Sequence, residues 1–211
     1  MEKFPITNPD IENYIKTTGS SSDDILKEME AYASENGFPI IGSMVGPFLR
    51  QLAIITGANN ILEMGSGYGY SAYWFAGGIS DDGKIICTDG DPDNKDKALG
   101  YLKRGGFDSK VEFHVGDALE LVKNFDGPFD IILNDIDKQG YPDAFDLAIP
   151  RLKKGGIFIT DNVLWSGRVL SDGPDETTKA IQKFNKKLFN TDGILSSIIP
   201  IRDGLGIAVK Q

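Results

Sequence analysis

The spacing of apolar residues changes near position 60. Before it the spacing is helical. In "SSSDDILKEMEAYASENG", Ser22 or Asp23 supplies an N-cap, Ile25, Met29 and Tyr32 share one face, and Gly37 stops the run. A second helix is expected from Gly46 through Leu49, Leu52, Ala53 and Ile55 to Gly57. From Asn60 onward, short apolar runs alternate with amphipathic stretches: "NILEMG", "KIICTD", "KVEFHVG", "FDIILND" and "GIFITDN". That alternation predicts parallel strands joined by crossover helices, an α/β doubly wound sheet with helices on both faces.

The tail breaks this rhythm. "DETTKAIQKFNKKLFN" reads as a helix with Ile181, Phe184 and Leu188 on its apolar side, followed by strands in "GILSSIIPI" and "GLGIAVK". The short Asp203-Gly204 connection predicts a hairpin, so the last strand is expected antiparallel to its neighbour. "SGRVLSDGPDE", residues 166 to 176, reads as a mobile polar loop. With no linker-like stretch, one domain is expected over 1–211: a helical extension over 1–58 and a core over 59–211.

Composition narrows the class. A hydrophobic share of 40% and a charged share of 25% are those of a soluble globular protein. No apolar run approaches the roughly 20 residues that span a bilayer. The start, "MEKFPITNPD", lacks the regions of a signal peptide, so a cytoplasmic location is expected. Cys87 is the single cysteine and sits in a strand pattern, where it acts as a small hydrophobe. The charge, 22 positive against 31 negative, is −9 and repels phosphate backbones. Nucleic acid is therefore a disfavoured partner.

Candidate chemistry gathers where strands end. In "LEMGSGYGYS", Gly65, Gly67 and Gly69 allow a sharp turn and close approach to a ligand before a helix opens at Tyr70 or Ser71. Glu63 just before them suits a cationic ligand better than a pyrophosphate, which argues against a dinucleotide dehydrogenase. Asp89 and Asp91 lie some 20 residues on, the spacing of a ribose-binding acid. Asp91, beside Pro92, fits a helix N-cap equally well, leaving Asp89 the better ribose candidate. The buried-strand pattern of "FDIILNDIDKQGY" ends in Asn134, Asp135, Asp137 and Lys138. His114, the only histidine, lies mid-strand, which speaks against a zinc site.

From "GSMVGPFLRQL" to "DGLGIAVK" the chain resembles the class I S-adenosylmethionine (SAM)-dependent methyltransferases, and more narrowly the cation-dependent O-methyltransferases of the catechol and caffeoyl-CoA type. "LEMGSGYGYS", "NDIDKQGYPDAFDLAIPRLKKGG" and "TDNVLWSGRV" carry the resemblance. It implies a Rossmann-like, mostly parallel seven-stranded sheet with the last strand antiparallel, and a homodimer. It also implies that Glu63, Gly65, Ser66 and Gly67 line the methionine part of SAM, that Ser71 holds its carboxylate and that Asp89 takes the ribose. Asp117 and Ala118 then lie beside the adenine and Asp137 near the amino group.

By the same resemblance Asp135, Asp161 and Asn162 match the divalent-metal ligands. Ending neighbouring strands, they offer a hard, incomplete oxygen shell suited to Mg²⁺, Mn²⁺ or Ca²⁺. The chemistry implied is metal-assisted O-methylation of a hydroxylated aromatic small molecule bearing vicinal hydroxyls. Lys138, three residues after Asp135, is the candidate base, or else a surface lysine countering Asp135 and Asp137. Tyr141 and Trp165 are candidate walls for a flat substrate or core residues; Arg168 meets an anionic substrate or is solvated. Ile41 stands where relatives often place a polar contact to SAM and offers only backbone. The N-terminal region is short for a bulky CoA thioester, and Asn134 is without explanation. Two alternatives stand beside this reading: O-methylation of a tRNA hydroxyuridine, and a non-catalytic SAM-binding domain.

Overall fold

The computed structural model describes residues 5–19 and 23–211. Among them, seven strands form one sheet: β1 (Asn60–Met64), β2 (Lys84–Asp89), β3 (Val111–Val115), β4 (Phe129–Asn134), β5 (Leu152–Thr160), β6 (Ile194–Ile199) and β7 (Leu205–Lys210), in the order β3-β2-β1-β4-β5-β7-β6. Every pairing is parallel except those of β7, which runs antiparallel to both β5 and β6. β6 thus points the same way as β5, and the β6–β7 turn lies at the carboxyl edge of the sheet.

The strand order reverses between β1 and β4, the switch point where such sheets leave a crevice beyond their carboxyl ends. Register fixes what meets there. Met64 pairs with both Thr88 and Asn134, and Asn134 pairs with Thr160. The next residues, Gly65, Asp89, Asp135 and Asp161, therefore stand in a row along one edge.

The central strands are apolar at successive positions because both faces are covered. Ile61, Ile131, Leu133, Ile157 and Ile159 pack with Leu49, Phe75 and Leu102 on one side. Leu62, Met64, Ile132 and Phe158 pack with Phe145, Phe184 and Leu188 on the other. Burying each such side chain contributes about 1.5–3 kcal/mol.

Eight α-helices fall within the described residues: α1 (Pro9–Thr18), α2 (Asp24–Asn36), α3 (Gly42–Thr56), α4 (Tyr70–Ala76), α5 (Pro92–Arg104), α6 (Ala118–Leu121), α7 (Tyr141–Ala148) and α8 (Glu176–Asn190). Asp23 caps α2, accepting from the N–H groups of Ile25 and Leu26, and Gly37 ends it in the left-handed region; Ser22 lies outside the described residues. The fully buried face of α2 is Leu26, Met29 and Ala33, with Ile25 and Tyr32 at its margin. Several expectations are corrected here. α1 has no counterpart in the sequence reading, since none of its residues is buried and its pattern carries no core signal. α3 opens at Gly42, four residues before the expected start, and Ile55 is 78% exposed instead of facing the core. Residues 165 to 170 form 3-10 turns broken at Ser166 and Gly167, so the expected polar loop is tied down at its start. There the Ser166 N–H donates to the Asp203 carboxylate and Gln182 Nε2 to the Val169 carbonyl.

Candidate active site

A cavity of about 590 Å³ opens at the carboxyl edge, lined by the β1–α4 turn, the ends of β2, β4 and β5, residues 38 to 41 and Arg202. One wall is the glycine turn. Gly65 and Ser66 donate their N–H groups to the Thr88 carbonyl at 3.1 and 2.8 Å. Gly65 has φ +84, and a Cβ there would come within 2.6 Å of the Asp135 carbonyl oxygen. Only glycine lets β1 and β4 close to this distance. The Gly67 N–H donates to Asp89 Oδ2 at 2.9 Å, while Asp89 Oδ1 accepts from the Asp91 N–H and Asn94 Nδ2. Asp91 accepts from the Asp93 N–H as the N-cap of α5 and does not line the cavity.

Asp117 caps α6 through the N–H groups of Leu119 and Glu120, and its residue faces the cavity with Ala118. Ile41, Ser66, Gly67, Ser71 and Asp137 also line it. Glu63 does not. It lies behind the wall at 0% exposure, with Oε1 unpartnered and Oε2 accepting from Cys87 Sγ at 3.6 Å. Burial pushes its carboxyl up to about 7, with the Ser71 hydroxyl only partly offsetting it.

Opposite stands the carboxylate group. Lys138 Nζ is 2.8 Å from Asp135 Oδ1. Burial raises the Asp135 carboxyl above its ordinary range against the pull of the Lys138 ammonium. Asp161 is 2% exposed, Oδ1 has no partner, and Oδ2 is 3.5 Å from Arg202 Nη1. Burial, then the Asp135 charge, pushes the Asp161 carboxyl up to about 7. Asn162 beside it holds φ +60 and lines the cavity. A buried carboxylate oxygen without a donor is stabilised by a cation. Among the described residues no three His, Cys, Asp or Glu side chains converge as a metal cluster; the set here is two carboxylates and one amide, all hard oxygen donors.

Three residues expected at the substrate do not line the cavity. Tyr141 is wholly buried, its ring 5.5 Å from that of Phe184, and its hydroxyl donates to the Asp161 carbonyl at 2.9 Å. It supports the site from beneath. Trp165 and Arg168 stack on each other at 3.9 Å outside the cavity. Sequence reasoning missed Arg202, Phe38 and Tyr68. The Arg202 backbone holds φ +50, a left-handed conformation costing of order 1–3 kcal/mol. Its signal was topological, since a turn between strands parallel and antiparallel to β5 must lie at the site edge. Tyr68 donates to the Met29 carbonyl at 2.8 Å and stacks edge-on with Phe38, tying α2 to the cavity wall. Asn134 is fully buried with both amide atoms unpartnered, across from Thr160, whose hydroxyl also lacks a partner.

The strand order, antiparallel β7, glycine turn and edge cavity define a Rossmann-like, SAM-dependent methyltransferase fold. The chain belongs to the O-methyltransferase family, whose sequence model matches residues 16–211. The catechol O-methyltransferase of Niastella koreensis is 31% identical over 95% of this chain and 96% of its own length. The caffeoyl-CoA O-methyltransferase of Pinus taeda is 34% identical over 76% of this chain and 67% of its own. In structure, the O-methyltransferase TomG of Streptomyces achromogenes, in complex with SAM, superposes with a TM-score of 0.88 at 26% identity over 96% of both chains. The protein is a SAM-dependent O-methyltransferase of the catechol and caffeoyl-CoA type.

Proposed function

We propose that this protein transfers the methyl group of SAM to one oxygen of a catechol-like small molecule with vicinal hydroxyls, aided by a divalent ion held by Asp135, Asp161 and Asn162. The observation that carries the reading is Asp161 Oδ1, buried and without a donor, beside a second carboxylate at the end of the neighbouring strand. When bound, the ion would lower the pKa of the adjacent hydroxyls and orient them. Gly65, Ser66, Gly67, Ser71, Asp89, Asp117, Ala118 and Asp137, with the Ile41 backbone, would cradle SAM along the opposite wall. Glu63 supports this wall from behind. Transfer is a direct displacement, so fixing donor and acceptor in line supplies much of the rate. Lys138, its ammonium form disfavoured beside a divalent ion, would as the neutral amine take the hydroxyl proton, and the ammonium so formed would rest on Asp135 Oδ1, which lies 2.8 Å from Nζ.

Chelation by EDTA, or Asp161→Ala, should abolish methyl transfer to catechol while S-adenosylhomocysteine still binds by calorimetry. Full transfer in EDTA would overturn the metal role. The acidic lining, five aspartates against Lys138 and Arg202, favours a small ligand over a polyanionic RNA. A reducing cytoplasmic setting agrees with the buried thiol of Cys87. A homodimer is supported by α1, which lies against α3 and leaves Ile11, Tyr14 and Ile15 exposed, while α3 leaves Ile54 and Ile55 exposed.

A further inference from the structure

We infer that Arg202 selects a substrate that carries a carboxylate beside its vicinal hydroxyls; this rests on the O-methylation reading above. Among the described residues two cations line the cavity, Lys138 and Arg202. Lys138 is engaged with Asp135 at 2.8 Å. Arg202 is not comparably held: one of its five donors meets Asp161 Oδ2, at 3.5 Å. Its guanidinium keeps the planar fork that fits a carboxylate through two parallel hydrogen bonds.

The backbone is arranged to present this side chain. Arg202 sits at φ +50 just before an anchored part of the turn, with the Val163 N–H donating to the Gly204 carbonyl at 3.1 Å and the Leu164 N–H to the Asp203 carbonyl at 2.9 Å. The Asp203 side chain also accepts from the Ser166 N–H. Glycine would hold this conformation without strain, yet an arginine occupies it. The guanidinium lies over Gly42, where even an added Cβ would stand 3.7 Å from Arg202 Cζ, so the slot between α3 and the β5 end accommodates it. With the proposed ion balancing Asp135 and Asp161, Asp137 would still repel an anion, and Arg202, lining the same cavity, offers it the opposite charge.

The test measures binding of 3,4-dihydroxybenzoate and catechol, by calorimetry on the Mg²⁺-loaded protein with S-adenosylhomocysteine. The wild type should prefer the carboxylated ligand, and Arg202→Gln should lower the ratio of the two affinities about tenfold, the loss expected for one charge-assisted contact. Arg202→Lys, which keeps the charge and loses the fork, should fall between wild type and Arg202→Gln, which separates charge recognition from disturbance of the turn. An equal ratio in wild type and Arg202→Gln would overturn the assignment. Methyl transfer to each ligand is followed separately. If neither is methylated, the O-methylation reading fails, while the affinity ratio still decides whether Arg202 recognises the carboxylate.

Discussion

A carboxyl with no exposure and one unpartnered oxygen, as at Glu63, ties stability to pH. Its folded-state value, about 7, lies above the ordinary 4.5, so the folded protein keeps a proton that the unfolded chain has already released between those values. Its effect is absent below about pH 4.5 and lowers stability progressively as pH rises to about 7, by at most about 3 kcal/mol. Denaturant midpoints of the ligand-free protein across that window should fall less steeply for Glu63→Gln than for the wild type; parallel slopes would exclude Glu63 as the source. At this scale the sequence was legible where a side chain ends a strand. Asp89, Asp135 and Asp161 stand out because an apolar run stops at each. It was not legible for Glu63, Tyr141, Trp165 and Arg168, because whether a side chain meets the cavity or the layer beneath depends on neighbours distant in the chain. Asn134 and Thr160 are register partners on β4 and β5 whose buried polar atoms have no hydrogen-bond partner.

At the scale of elements, α2 matters more than its place in a lead-in suggests. Its inner face, Leu26, Met29 and Ala33, packs on the sheet side that carries Ile61 and Leu133, and its Met29 carbonyl receives the Tyr68 hydroxyl. Met29 is fully buried, so Met29→Ala should cost about 2–5 kcal/mol through lost contacts and a residual cavity. It should also weaken S-adenosylhomocysteine binding by loosening the Tyr68 wall. Thermal unfolding and calorimetry check the two effects separately, and unchanged affinity would mean that α2 is only a brace. Helix caps and stops at Asp23, Gly37 and Gly57 could be read from sequence because they act within one turn of chain. The early start of α3 could not, since Ile41 offers no side-chain cap.

Considered whole, the molecule has a well-packed sheet core and one helix that contributes nothing to it. Because α1 buries none of its own residues, removing residues 1–19 should leave the protein folded, with any fall in thermal midpoint no larger than loss of subunit association accounts for. If α1 and the exposed end of α3 form the subunit interface, the same truncation should convert a dimer to a monomer in analytical ultracentrifugation. A dimer that survives truncation would place the contact elsewhere.

What the sequence by itself determined is local in origin. Period, caps and turn residues act over a few positions, and they specify the alternation of strands and helices, the antiparallel last strand and the polar residues at strand ends. Tertiary structure decided which ends became neighbours. Strand order and register set Gly65 against Asp135 and sank Glu63 behind the wall. They also brought Arg202 to Asp161, 41 residues away along the chain. Such pairings depend on how the two faces of the sheet are covered, and no short stretch of sequence carries that information.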